Sequence, residues 1–139
     1  MIVLDTNVLS AIMQRVPDRG IAAWLDMQPR TSLWTTSITA YEIRSGIEIS
    51  PHGRRRTELE TAFEKLIDQL LDGRVLPFDF AAAEAAGVIA AKHRNAGRPV
   101  EVRDVQIAGI ATSCKATLAS RNIRHFRGIG LTLVDPWAT

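Results

Sequence analysis

The sequence predicts an α/β fold with a central, mostly parallel β-sheet flanked by α-helices. Three features carry that prediction. Short apolar strands alternate with helical patterns along the chain, as in parallel sheets. The first strand, Ile2-Val3-Leu4, is apolar at every position and partly β-branched, which fits a strand buried on both faces. Asp5 then falls where that strand ends and a helix starts, the sheet edge at which α/β proteins bind ligands.

Taken in order, a first helix is predicted over residues 6–13, ending before Pro17. Asp18 is a candidate cap for a short helix carrying Ile21, Trp24 and Leu25, and Pro29-Arg30-Thr31 breaks it. Residues 33–36 read as a second strand, Ser37 leads into a helix that runs through Glu42 to Ile49, and residues 50–53 form a loop. Arg54-Arg55-Arg56 opens a long amphipathic helix with Leu59, Phe63, Leu66 and Leu70 on one face. The triple arginine reads as a solvated helix end, although it opposes the helix dipole.

Val75-Leu76 is a further short strand. Asp79 caps an alanine-rich helix that Gly97 stops, with Pro99 beyond. Apolar residues surround much of that helix, so it needs burial on more than one side, inside the chain or against a second copy. Residues 103–114 form the next helix, 116–119 a strand with Ser120–Asn122 as its polar end, and 131–134 the last strand. No repeat or linker interrupts the pattern, so one domain over residues 1–139 is expected. Trp24, Trp34 and Trp137 are expected in the core or at a dimer contact.

Composition narrows the function. Apolar residues make up 46% and charged residues 23%, ordinary for a globular protein. Of 17 basic residues only Lys65, Lys92 and Lys115 are lysine. An arginine bias suits a phosphate-rich partner, and equally a GC-rich genome. Cys114 is the single cysteine, which excludes an internal disulfide and a cysteine-based zinc site. No signal peptide and no membrane-spanning run is present in the sequence, so a cytoplasmic protein is expected.

Three carboxylates stand on faces that should be buried: Asp5, Glu42 and Asp104. Glu42 shares its helix face with Ile38, Ser45, Gly46 and Ile49, and Asp104 leads Ile107 and Ala108. Buried charge is costly unless paired. A hard divalent cation, Mg²⁺ or Mn²⁺, takes such oxygen ligands and activates water for attack at phosphorus. Asn122 would add an oxygen from a neighbouring strand end. Each has a structural reading as well. Asp5 and Asp104 could be N-caps, Glu42 could pair with Arg44 or Arg103, and Asn122 could be a turn residue. Their joint placement at sheet ends and inward faces favours a site.

These residues resemble a known family. Leu4-Asp5-Thr6-Asn7, then Thr36-Ser-Ile-Thr39-Ala-Tyr-Glu42-Ile-Arg-Ser-Gly46, are similar to the first two motifs of PIN-domain ribonucleases, and Asp104-Val-Gln-Ile107-Ala108 to the third. Residues 119–126 and Pro136-Trp137 resemble the closing region of bacterial VapC toxins, particularly the FitB-like group. The resemblance implies a PIN-like fold and a metal-dependent endoribonuclease toxin of a type II toxin–antitoxin system. It further implies neutralisation by a cognate antitoxin, and a homodimer.

Carried over by position, Asp5, Glu42 and Asp104 match the catalytic and metal-binding acids, with Asn122 at a fourth metal position. Thr6, Asn7 and Thr36 match supporting residues. Asn122 is neutral, which leaves the number of ions, one or two, open. Arg121 and Arg124 are candidate contacts to RNA phosphates, with Arg127 nearby. Arg103 either holds a phosphate or pairs with Glu101. No histidine is needed as a base, and His125, the one near the site, is assigned a structural or surface role.

Two other readings remain. One is a catalytically weak PIN-like module that binds nucleic acid or antitoxin. The other is a haloacid-dehalogenase-like phosphatase, disfavoured because Asn7 cannot supply the proton that an acid would. A phosphotransfer receiver domain lacks both its acidic pair and its lysine. The RNA target, the cleavage sequence and the antitoxin surface are not legible in the sequence.

Overall fold

The computed structural model describes residues 1–98 and 100–138; the helix-stop position assigned to Pro99 lies outside them. Five strands form one sheet in the order β3-β2-β1-β4-β5: β1 (Ile2–Leu4), β2 (Leu33–Thr36), β3 (Val75–Leu76), β4 (Thr117–Ala119) and β5 (Thr132–Val134). Every pairing is parallel. The helices are α1 (Thr6–Ile12), α2 (Arg19–Asp26), α3 (Ser37–Ile49), α4 (Arg54–Lys65), α5 (Phe80–Asn95) and α6 (Val102–Ser113).

The apolar strand β1 is central and covered on both faces. Leu4 packs in a cluster with Val8, Leu9, Ile43, Phe63 and Leu66, contributed by α1, α3 and the α4 region. Val3, one residue earlier and on the opposite face, packs with Ala86, Ile89, Ile107 and Ala111 of α5 and α6. The two layers of helix therefore meet across a strand three residues long, and each carbonyl edge of the sheet faces the same way.

Local signals act as the sequence predicts at most element ends. Asp18 accepts the Ile21 N–H at 3.1 Å, and Asp79 accepts the Ala82 N–H at 2.9 Å, as N-caps. Gly97 adopts φ +68° just past α5, the left-handed turn that ends a helix. Two elements differ. After Lys65, α4 widens into a π turn over Leu66–Leu70 before Asp72-Gly73 turns the chain. The helix α6 starts at Val102 and is capped by Glu101, whose carboxylate accepts the N–H of Arg103 and of Asp104. Asp104 is thus not an N-cap; the residue three places earlier fills that position.

The helix α5 buries one face. Ala82, Ala86 and Ile89 pack on α6, while Phe80 and Val88 remain 78% and 58% exposed. Close approach of the two helices is set by Gly109: a Cβ there would lie 2.6 Å from the Ala82 carbonyl oxygen and 2.7 Å from the Ala86 Cβ. Gly109→Ala should force α5 away from α6 and cost roughly 1–3 kcal/mol, the usual penalty for overpacking. Urea denaturation of the two proteins measures it.

Candidate active site

Asp5 follows directly on β1, and the β1–β4 register, which pairs Leu4 with Ala119, sets it level with Ser120. One carboxylate oxygen accepts the Thr6 N–H at 2.8 Å; the other accepts the Ser120 hydroxyl at 2.6 Å and lies 3.4 Å from the Asn7 amide nitrogen. The residue is only 4% exposed. It is the N-cap of α1, as its structural reading expects, and it also lines the cavity described below. Asn7 completes the bracket: its amide lies 3.3 Å from the Ser120 hydroxyl and its carbonyl accepts the Arg121 N–H at 3.2 Å.

Ser120 is the residue that sequence reasoning missed. It is fully buried and is the centre of this network, because its hydroxyl also accepts the Asn122 N–H at 3.1 Å. Its only signal was position: a polar side chain at the end of a strand adjacent to the one that Asp5 ends.

Glu42 reaches the same cavity from α3. Its carboxylate receives the Thr6 hydroxyl at 3.0 Å, and the same hydroxyl lies 3.1 Å from that of Thr39. Thr36 acts at one remove. Its buried hydroxyl accepts the Thr39 N–H at 3.1 Å and caps α3, so it positions the helix without touching a carboxylate.

Asp104 enters from the first turn of α6, with the His125 imidazole 3.3 Å away. His125 is exposed at the surface and still lies against a site acid, a contact the sequence did not disclose. Arg103 pairs with Glu101 at 3.0 Å and also lies 3.6 Å from Glu42, so both pairings considered for it occur. Arg44 instead pairs with Glu48.

Asp5, Thr6, Glu42, Asp104 and Asn122 line one open cavity of about 350 Å³. Burial pushes the carboxyls of Asp5, Glu42 and Asp104 above their ordinary values. Hydrogen bonds from Ser120 and Thr6 oppose this at Asp5, the Thr6 hydrogen bond and the charge of Arg103 at Glu42, and the His125 hydrogen bond at Asp104. Repulsion from Asp104 raises Asp5, and repulsion from both aspartates raises Glu42. A divalent cation among them would relieve both causes. Among the described residues no three such side chains stand close enough to ligate one ion together. An ion bound here would have to complete its coordination with water, as Mg²⁺ does.

The model of the PIN domain matches residues 2–130. The chain belongs to the PIN domain family. Two relatives cover this PIN domain almost end to end. The VapC ribonuclease Y4jK of Sinorhizobium fredii is 36% identical over 99% of this chain and 98% of its own. The toxin FitB of Neisseria gonorrhoeae is 31% identical over 99% of each. The crystal structure of FitAcB from Neisseria gonorrhoeae superposes with a TM-score of 0.90 at 30% identity, covering all of both chains.

Two variants probe the acids of this PIN domain. Ser120→Ala removes a buried hydroxyl from a carboxylate and should cost about 1–3 kcal/mol of stability, read by urea denaturation. Asp104→Asn should act in the other direction when metal is chelated. Ionised Asp104 is disfavoured in the folded state, so its penalty is fully present at neutral pH. The penalty fades as pH falls through the raised value towards the ordinary carboxylate range. In EDTA the variant should therefore melt higher than wild type at pH 7, and the difference should close on acidification. Equal melting temperatures across that range would refute the charge penalty.

Proposed function

We propose that this chain, as one PIN domain over residues 1–139, is a VapC-type endoribonuclease toxin that hydrolyses RNA phosphodiester bonds and is neutralised by a cognate antitoxin. The observation that carries the proposal is the convergence of Asp5, Glu42 and Asp104 on one open cavity from β1, α3 and α6. Carboxylates that are raised by burial and converge on one cavity fit catalysis better than scaffolding. Family membership and the relatives' ribonuclease and toxin names agree with this reading. An inactive binding module would have no use for three carboxylates held at such electrostatic cost.

Asp5, Glu42 and Asp104 would hold Mg²⁺ or Mn²⁺, directly or through water, with Asn122 as a neutral fourth donor. Such an ion, when bound, lowers the pKa of a water and offsets charge developing on the phosphate. The chain's own groups prepare the site. Ser120 and the Thr6 N–H fix both oxygens of Asp5, the Thr6 hydroxyl orients Glu42, and Asn7 braces the Asp5 loop against β4. Arg103 partly offsets Glu42 while Glu101 restrains it. Arg121 and Arg124 would contact RNA phosphates at the rim.

The exposed apolar residues Phe80 and Val88 of α5, about two turns apart, would be covered in a homodimer. Among the described residues no helix is long and apolar enough to cross a membrane, and RNA as substrate places the activity in the cytoplasm.

The test is cleavage of a mixed panel of structured and single-stranded RNAs by antitoxin-free protein, with Mg²⁺, Mn²⁺ or EDTA. Cleavage should need the metal and should fall at least ~100-fold in Asp5→Asn, the order expected when a group that stabilises transition-state charge is lost. Cleavage that survives both EDTA and the substitution would refute the mechanism.

A further inference from the structure

A second hollow of about 410 Å³ adjoins the acidic cavity and shares its Asn7 and Ser10 wall. Its far side is formed by Gln14, Asp18, Arg121 and Trp137. The lining is as polar as it is apolar, with one cation on it. That cation is held in place. The Arg121 guanidinium lies over the Trp137 ring, 5.0 Å from its centroid, and the Arg121 N–H is bonded to Asn7. The ring is fixed in turn, since the Trp137 indole N–H donates to Asp18 at 3.3 Å and its backbone N–H to Asp135 at 2.9 Å. Among the described residues no carboxylate lies within ion-pair distance of Arg121.

We infer that this hollow is the subsite for the nucleotide that flanks the scissile phosphate in single-stranded RNA, with Arg121 gripping that nucleotide's phosphate and Trp137 holding the arginine ready. The inference rests on the nuclease reading and adds to it a binding position and a positioning pair. An ion held by the three carboxylates would offset charge at the scissile phosphate, and the neighbouring phosphate beside the same acids needs a cation of its own. Arg103 is already engaged by Glu101 and Glu42. Arg121 is the cation that lines the adjoining hollow, immobilised there on Trp137 and tied through its backbone to Asn7 of the shared wall. A guanidinium pinned on a ring loses little rotamer freedom when a phosphate binds, and its outer face can still stack a base. The polar side chains Gln14 and Ser10 line the same hollow and offer hydrogen-bonding groups to the nucleotide.

The experiment measures binding of a fluorescent single-stranded RNA to the Asp5→Asn protein, which does not cleave, across a series of salt concentrations. Arg121→Ala should weaken binding roughly tenfold, the effect of losing one charge-assisted contact, and should lower the salt slope by about one. Arg121→Lys should restore the slope and only part of the affinity. Trp137→Phe should weaken binding with the slope unchanged, because it loosens the cation without removing it. Arg94→Ala, at the end of α5 and lining neither cavity, is the control and should bind as the parent does. Melting curves of all variants establish that each is folded. Parental affinity and salt slope in Arg121→Ala would overturn the subsite and leave the nuclease standing. Absence of RNA binding by the parent protein, together with absence of RNA cleavage by wild type, would overturn both.

Discussion

A carboxylate buried at the carboxyl end of the central strand is the constraint on which the rest of this site depends. Asp5 is 4% exposed, and neither of its oxygens is left bare. Such a group is tolerated only where donors are fixed beforehand. Those donors come from both sides of the sheet edge: the α1 N-terminus through Thr6, and β4 through Ser120. Parallel pairing of β1 with β4 in a single register is what sets Ser120 at the right height. A slip of one residue would turn every side chain of the strand to the opposite face and leave Asp5 without its hydroxyl. The short β1 is therefore under two demands, apolar side chains towards both layers and an acid at its end.

The second and third carboxylates are brought in by helices rather than strands, and each arrives with its own partner. Glu42 is restrained by a threonine hydroxyl, and Asp104 by an imidazole. Thr6 links two of the acids, since its N–H serves Asp5 and its hydroxyl serves Glu42. This arrangement keeps the acids apart enough to remain a cavity yet close enough for their charges to oppose one another. It trades stability for a site that favours a cation.

Much of this was legible in the sequence, for identifiable reasons. The alternation of apolar strand and amphipathic helix gave all five strands, and Asp18, Asp79 and Gly97 marked helix ends through local chemistry. Asp5 was legible because charge on an inward face is anomalous, whatever the fold; the stripe on which Glu42 was expected, with Gly46 and Ile49, proves exposed instead, Ile49 at 80%, because α3 buries Thr39, Ile43 and Ile47. Ser120 was not, because a serine at a strand end is ordinary until the partner strand is known. His125 and Asp104 are far apart in sequence, and only packing of α6 against the turn at Ile123–Phe126 brings them together. The capping of α6 by Glu101 in place of Asp104 shows the same limit: several acids before one helix leave the choice to geometry. The burial demanded by the pattern of α5 is met within the chain on one face only.

Charge is where composition and structure part most instructively. The arginine excess alone is a weak pointer to a polyanion, because many of these side chains serve the fold. Arg15 and Arg55 pair with Glu58, Arg44 and Arg56 with Glu48, and Arg74 braces backbone carbonyls beside β2. Arg121, Arg124 and Arg127 have no such ion pair among the described residues, and they cluster in the segment that follows β4 beside the acids. An acidic cavity on its own repels nucleic acid, and a basic surface on its own binds it without chemistry. On the proposed reading, cations beside a carboxylate cavity would meet both needs at once, drawing in a phosphate chain while the acids stay available for an ion. Arg19 and Arg94 also lack an ion pair among the described residues but lie on α2 and α5, so it is the grouping of three such arginines within one short segment after β4, more than their number, on which the proposed RNA contact rests.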